Sequence, residues 1–216
     1  LELLGDVADC SDHITYSVNE GNGLKFTLLK NGNATGITFR GIPNGHEFTS
    51  LLLAILNLDG KGKNFPDEAV CNRVKALKGP IHLVTYVSLT CTNCPDVVQA
   101  LNAMTTLNPA ITHEMVDGAL YQDEVDALIE QAAELVLEAG AIDVLVADTS
   151  AKMKDAWAAR SSFLEAIMEE TKLLDECDVV VPVNKIAEYL TFVNKTGEEC
   201  GLVIKAFGHA GDGNLH

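Results

Sequence analysis

A CxxC dithiol between a predicted strand and a predicted helix constrains this chain more than any other feature. Residues 81–89 (IHLVTYVSL) are rich in β-branched and aromatic side chains, which favours a strand, and the pattern of residues 95–107 predicts a helix. Cys91 and Cys94 fall at the turn between them. A thiol at a helix N-terminus faces unpaired backbone N–H groups and the positive end of the helix dipole, and both favour the reactive thiolate.

The spacing of the two cysteines favours redox chemistry. Two intervening residues let the second sulfur reach the first, so we expect Cys91 to be the nucleophile and Cys94 to resolve a mixed disulfide. Zinc binding is one alternative, but a structural zinc site takes four ligands and there is no second CxxC. The other alternative is that both cysteines are buried and have no chemical role.

The charge balance excludes several partner classes. The 216 residues carry 15 Lys and Arg against 31 Asp and Glu, a formal charge of −16. We therefore expect no nucleic acid and no membrane as partner, because phosphate-rich surfaces require clustered basic residues. The apolar runs are far shorter than the ~20 residues of a membrane span, and no secretory signal is evident. We expect a cytoplasmic location, where thiols stay reduced.

Helix and strand patterns alternate along the chain, which predicts an α/β fold. In the first part we expect strands at residues 13–18, 25–29, 37–40 and 111–116, and helices at 47–58 and 66–77. Further along we expect helices at 125–139, 152–174 and 185–196, and short strands at 142–147, 179–181 and 202–207.

Several runs in the first part carry a family resemblance: GHEFTSL (45–51), CTNCPDVVQALN (91–102), LNP (107–109) and VDG (116–118). Residues from about 3 to 125 resemble the N-terminal domain of the flavoprotein subunit of alkyl hydroperoxide reductase. The resemblance implies tandem thioredoxin-like modules, with residues 1–62 lacking a dithiol and residues 63–125 carrying it. It also implies that Cys91 and Cys94 relay electrons from a flavoprotein donor to a peroxiredoxin, and that Glu47 is an acid/base group near them. Without the resemblance, Glu47 is interpreted as a solvated residue in the first turn of a helix.

Two features of that family are not found in the sequence. Its members continue into a strand opened by a Val-Pro dipeptide, whereas the comparable run here, residues 181–183, is distant from Cys94. The 63–125 module is therefore expected to be incomplete. No GxGxxG fingerprint occurs, so we expect no bound cofactor, with FAD supplied by another domain or a partner.

A glycine-rich run, FGHAGDGNLH (207–216), is the second concentrated motif. Its glycines permit unusual backbone angles and close approach to a ligand. The imidazoles of His209 and His216 are candidate ligands for zinc or iron, although a catalytic site needs a third protein ligand. The alternative is a glycine turn with incidental histidines.

This run, together with EAGA (138–141), ADT (147–149), WAAR (157–160) and DVVVP (178–182), carries a second resemblance. Residues from about 128 to 216 are similar to the C-terminal domain of FAD-linked oxidases, the group containing glycolate oxidase and D-lactate dehydrogenase. We assign residues 126–216 to a partial α+β module of this kind. The resemblance implies a divalent metal held by His209 and His216, a polar site residue at Asn214 and a substrate-carboxylate group at Arg160. Arg160 is alternatively a surface residue of a helix.

Three functions follow. The favoured one is thiol–disulfide electron transfer through Cys91 and Cys94 to a peroxiredoxin in peroxide reduction, which is oxidoreductase chemistry. The second is the substrate- and metal-binding part of an FAD-dependent 2-hydroxy-acid dehydrogenase. The third is a fusion or composite fragment without complete activity, because the two resemblances meet near residues 123–129, inside one predicted helix.

Overall fold

The computed structural model describes residues 1–21, 23–171, 173–209 and 211–216, which divide into two compact units, 1–142 and 143–216. The first unit contains helices α1 (Glu2–Asp9), α2 (Phe48–Leu58), α3 (Glu68–Ala76), α4 (Cys94–Leu107) and α5 (Gln122–Glu138), and strands β1 (Lys25–Lys30), β2 (Asn33–Arg40), β3 (Ile81–Val87) and β4 (Ile111–Asp117). The second contains α6 (Ser150–Ser161), α7 (Phe163–Glu170), β5 (Val179–Val180), α8 (Ile186–Cys200), β6 (Gly208–His209) and β7 (Asn214–Leu215).

One four-stranded sheet, in the order β1-β2-β4-β3, organises the first unit. β1 and β2 form an antiparallel hairpin whose turn places Asn31 and Gly32 at positive φ (52° and 79°), the geometry that Asn-Gly turns favour. β2, β4 and β3 are parallel, and α4 connects β3 to its neighbour β4. This β3–α4–β4 unit is the element that carries the dithiol.

The core of the first unit lies between the sheet and helices α2 and α4. Its central side chains are at most 1% exposed: Ile37, Phe39, Leu51, Val98 and Met115. Burying each one stabilises the fold by roughly 1.5–3 kcal/mol. Cys94 packs against the same cluster, so the first turn of α4 is fixed by the core.

Helix α5 is anchored to the sheet at its first turn. Arg40 donates two hydrogen bonds to Glu124, at 3.0 and 2.5 Å, and the Tyr86 hydroxyl donates a third at 2.9 Å. These bonds lower the pKa of the Glu124 carboxyl, and the Arg40 guanidinium also lies 3.9 Å from the centre of the Tyr121 ring. No residue of α5 is buried. The helix is therefore held by these polar contacts and not by a packed apolar face.

The second unit has a smaller sheet and almost no core. β5, β7 and β6 form a three-stranded antiparallel sheet with two residues in each strand. Leu215 is its one buried hydrophobic side chain within the described ranges, and α6 and α7 bury none. A cavity of about 930 Å³ is lined by side chains of this unit from positions 164–216. In neither unit do the described residues include a helix long and apolar enough to cross a membrane.

The mixed α/β class is confirmed, and most predicted elements form within a few residues of their expected bounds. The modules predicted for residues 1–62 and 63–125 each contribute two strands to the one sheet, where β2 pairs directly with β4. The number of thioredoxin-like modules stays a prediction.

Three predicted strands are wrong. Residues 13–18 form a turn and an irregular segment, in which Ile14 N–H donates to the Ser11 carbonyl (3.0 Å). Residues 142–147 and 202–207 are also irregular, with Ile142 and Val203 102% and 88% exposed. High β-propensity produces a strand only where a partner strand and a buried face occur together. Ile14 packs against the core but has no partner strand within the described part of the chain, and Phe207, at the end of 202–207, exchanges backbone hydrogen bonds with His216 (3.2 and 2.8 Å).

The long helix predicted for residues 152–174 is interrupted. α6 ends at Ser161 and α7 begins at Phe163. The Ser162 hydroxyl donates to the Ala159 carbonyl (2.8 Å). Such local side-chain hydrogen bonds compete with the backbone hydrogen bonds of a helix.

Candidate functional site

The dithiol lies at the predicted junction of a strand and a helix. β3 ends at Val87 and α4 begins at Cys94, with Cys91 in the intervening turn. The two sulfurs are bonded as a disulfide, the Cα atoms are 5.6 Å apart, and both cysteines are half-buried. This Cα separation lies within the range usual for disulfides.

The two sulfurs have different surroundings. The backbone N–H of Cys94 donates to Cys91 Sγ (3.2 Å), and Cys91 faces the N-terminus of a 14-residue helix. Both features stabilise negative charge on Cys91 after reduction. Cys94 packs against the apolar core, where a thiolate is less stable. This asymmetry suits Cys91 to nucleophilic attack, although the roles of the two cysteines stay predictions.

Glu47 is buried beside the same helix. It ends a 3-10 turn, Gly45–Glu47, that contacts α4, and its side chain is 0% exposed. The Ser50 hydroxyl donates to Glu47 Oε2 (2.7 Å), while Oε1 has no partner among the described atoms. Burial raises the pKa of this carboxyl, and the Ser50 hydrogen bond and the charge of His46 oppose that shift in part. The interpretation of Glu47 as a solvated residue is therefore wrong, and its catalytic role stays a prediction.

A buried polar network joins the two elements on either side of the dithiol. His113 on β4 shares one hydrogen bond with Asn102 on α4 (Nδ1···Oδ1, 2.8 Å) and another with Thr85 on β3 (Nε2···Oγ1, 2.9 Å). Burial lowers the pKa of His113 to about 4, against a smaller opposing effect of the Glu114 charge. His113 was not among the functional residues predicted from the sequence. The two-residue period of β4 places it on the core face with Ile111 and Met115.

In the second unit, Arg160, His209 and His216 lie close together. Arg160 Nη2 is 3.0 and 2.9 Å from the two ring nitrogens of His209, and the rings of His209 and His216 are 6.1 Å apart between centroids. Arg160 itself is exposed on α6. The backbone N–H of Asn214 donates to Asp212, and its side-chain Oδ1 is buried without a described partner. The structure thus brings three of the four predicted residues into one cluster and places Asn214 in the adjacent strand.

These residues do not fit a metal ion. In the part of the chain that the structure describes, no group of three or more His, Cys, Asp or Glu side chains is placed to hold one. The guanidinium of Arg160 faces both nitrogens through which His209 would bind, and its positive charge opposes a cation there. The Asp178 carboxylate lies 3.5 Å from His216 Nδ1 (Nδ1···Oδ1).

Comparison with known proteins supports two separate relationships. Residues 115–216 match the family described as FAD linked oxidases, C-terminal domain. The chain is 46% identical over 129 residues to the F subunit of alkyl hydroperoxide reductase from Staphylococcus epidermidis, a match that covers 59% of this chain and 25% of the relative. It is 63% identical over 95 residues to D-lactate dehydrogenase of Anaerostipes hadrus, covering 44% of this chain and 20% of the relative. Both resemblances identified in the sequence are confirmed.

Among solved structures, the NTD_N/C domain of alkylhydroperoxide reductase AhpF from Enterococcus faecalis is 40% identical, with a TM-score of 0.42. That match covers 44% of this chain and 45% of the solved one. The chain spans a quarter or less of the length of the two curated relatives above.

FAD association is indicated for the related families, but the cavity of the second unit does not fit the dinucleotide. Its described lining includes Glu170, Asp175 and Glu176, and Lys205 is already paired with Glu170. A pyrophosphate would face an excess of negative charge at this site.

Proposed function

We propose that this chain is a thiol–disulfide oxidoreductase whose Cys91–Cys94 pair relays electrons to a peroxiredoxin in peroxide reduction. The observation that carries the proposal is the disulfide at the start of α4, with the Cys94 N–H directed at Cys91 Sγ. The similarity to the F subunit of alkyl hydroperoxide reductase supports the choice of peroxide reduction and of a peroxiredoxin partner.

The exchange runs in two steps. After a flavoprotein donor has delivered two electrons to the disulfide, the Cys91 thiolate attacks one sulfur of the partner's disulfide. A mixed disulfide forms and the first partner thiolate leaves. Cys94, as thiolate, then attacks Cys91 Sγ, which restores the Cys91–Cys94 disulfide and releases the second partner thiolate. The partner has gained two electrons, and two protons complete its thiols.

Glu47 is the proposed proton carrier for the second step. A carboxyl with a raised pKa exchanges protons nearer to neutral pH than a solvated one does. Its 3-10 turn contacts the helix that begins at Cys94. In this proposal Glu47 accepts the Cys94 proton as that sulfur becomes nucleophilic, while Ser50 orients the carboxyl.

Trapping tests the order of attack. Reduced Cys94→Ser should form a stable mixed disulfide through Cys91 with an oxidised peroxiredoxin, because the resolving sulfur is gone. Cys91→Ser should form none, and Cys71→Ser, which changes a partly exposed cysteine outside the dithiol, should turn over like the unchanged chain. Equal trapping by the Cys94→Ser and Cys91→Ser variants would contradict the assignment.

A second candidate function has one observation in its favour. Arg160 and His209 present adjacent nitrogen groups at the surface of the second unit, and an arginine is suited to paired hydrogen bonds with a carboxylate. With the similarity to D-lactate dehydrogenase, this favours a contribution to 2-hydroxy-acid binding. Calorimetric titration with D-lactate, compared between the unchanged chain and Arg160→Ala, tests it. Absence of both lactate binding and thiol exchange would favour a composite fragment without complete activity.

A further inference from the structure

Strand β3 has an open edge on the side away from β4. The Ile81 N–H donates to the Ala110 carbonyl (2.8 Å), and the Val87 carbonyl accepts from Gly118 N–H (2.9 Å), so both residues direct their backbone groups toward the β4 side. Backbone groups alternate sides along a strand in a parallel pair. His82, Val84 and Tyr86 therefore direct theirs outward, where β3 has no strand neighbour within the described ranges.

The features that normally protect an edge strand are absent from β3. Its sequence, IHLVTYV, contains no lysine, proline or glycine, and its seven residues pair with β4 in unbroken register. The opposite edge of the sheet, β1, has Lys25 and Lys30 at its ends and a register shift between Thr27 and Leu29. Lysines and bulges usually prevent a strand at the edge of a sheet from pairing with another chain. The edge at β1 therefore has this protection, and the edge at β3 lacks it.

We propose that β3 pairs with β3 of a second copy of this chain, antiparallel about a two-fold axis at Val84. The register is self-complementary, as an isologous contact requires: Val84 faces Val84 of the partner subunit, and His82 faces Tyr86 of the partner subunit. All three outward-directed residues then fall in hydrogen-bonded pairs, which gives about six new backbone hydrogen bonds. Because the strands run in opposite directions, the two dithiols lie at opposite ends of the new pair and both stay free.

Charge and size set the strength of this contact. Each chain carries a formal charge of −16, so two copies repel each other at low ionic strength. The paired residues themselves carry no carboxylate, and salt screens the repulsion between the more distant charges. A single pair of strands buries less surface than the roughly 1,200–2,000 Å² of a stable interface. The dimer is therefore weak, and it strengthens as salt is added.

Sedimentation velocity of the full chain, from micromolar to millimolar concentration and at low and high salt, tests the proposal. We expect the mean mass to rise toward two chains with concentration, and more steeply at high salt. Val84→Lys should stay monomeric, whereas the matched control Leu29→Lys, at an exposed site on β1, should associate like the unchanged chain. Val84→Pro should also stay monomeric. Proline has no backbone N–H, and the outward N–H of Val84 donates to no acceptor among the described residues of its own chain, so only the intermolecular hydrogen bond is lost. A non-reducing denaturing gel of the same samples identifies covalent dimers formed through exposed cysteines, so that they are not counted as strand pairing.

Amide exchange of the unchanged chain keeps the test decisive if either variant at Val84 misfolds. The His82, Val84 and Tyr86 amides should exchange more slowly at the higher concentration, and the β1 amides should not. A monomer at every concentration, or association that Val84→Lys and Leu29→Lys weaken equally, would overturn the proposal.

Discussion

Acid should destabilise the first unit through His113. The pKa of its imidazole falls from the ordinary 6.5 to about 4 in the fold, because burial penalises the charged ring. Above pH 6.5 the ring is neutral in both the folded and unfolded chain, so the lowered pKa contributes nothing there. As the pH falls from 6.5 toward 4, the unfolded chain takes up a proton that the folded chain does not, and the free energy of unfolding decreases. Because a tenfold change in proton affinity corresponds to about 1.4 kcal/mol, the full loss is about 3 kcal/mol.

Urea unfolding at a series of pH values, followed through the β4 amide signals in NMR spectra, measures this loss in the first unit alone. His113→Gln should remove the dependence on pH that arises from this ring, at the cost of lower stability near neutral pH. His82→Gln is the matched control, because the exposed His82 also bonds a threonine across the β3–β4 pair (2.7 Å to Thr112). Equal slopes against pH for the unchanged chain and His113→Gln would refute the reasoning.

Three further outcomes are expected. After reduction, Cys91 should alkylate faster near neutral pH than Cys10, Cys71, Cys177 or Cys200, as read by peptide mass spectrometry; equal rates would count against a stabilised thiolate. Glu47→Gln should keep the Ser50 bond and remove a buried ionisable group, so its unfolding free energy should no longer decrease as the pH rises through the raised pKa of Glu47; an unchanged pH profile would contradict burial as the cause. Two imidazoles beside Arg160 should retain no zinc after dialysis against a chelator; stoichiometric zinc by elemental analysis, lost in His209→Ala, would reverse that conclusion.

The sequence was most informative where local pattern and burial agree. β3, α4 and the cysteines between them were predictable, because β-branched composition, a CxxC turn and Pro95 at the start of a helix indicate the same arrangement. The burial of Glu47 was not predictable from its residue type, because it depends on α4 packing over the Gly45–Glu47 turn. The period of β4 already placed His113 inward, yet the hydrogen bonds to Asn102 and Thr85 come from elements adjacent only in the folded chain.

The second unit was less predictable for a physical reason. Its apolar runs have strand-like composition, but residues 142–147 and 202–206 pair with no strand among the described residues. The closeness of Arg160 to His209 joins positions 49 residues apart, which no local pattern encodes.

The exposure of helix α5 bears on how much sequence change the middle of the chain tolerates. The resemblances meet near residues 123–129, inside a helix that buries no side chain and is held by Glu124 at its first turn. After that turn, a new sequence needs only residues that favour a helix, because no side chain of α5 is buried against a neighbour. A change of sequence within a core strand such as β4 would instead alter several buried contacts at once. Helix α5 therefore tolerates a change of sequence after its first turn without repacking the sheet of the first unit.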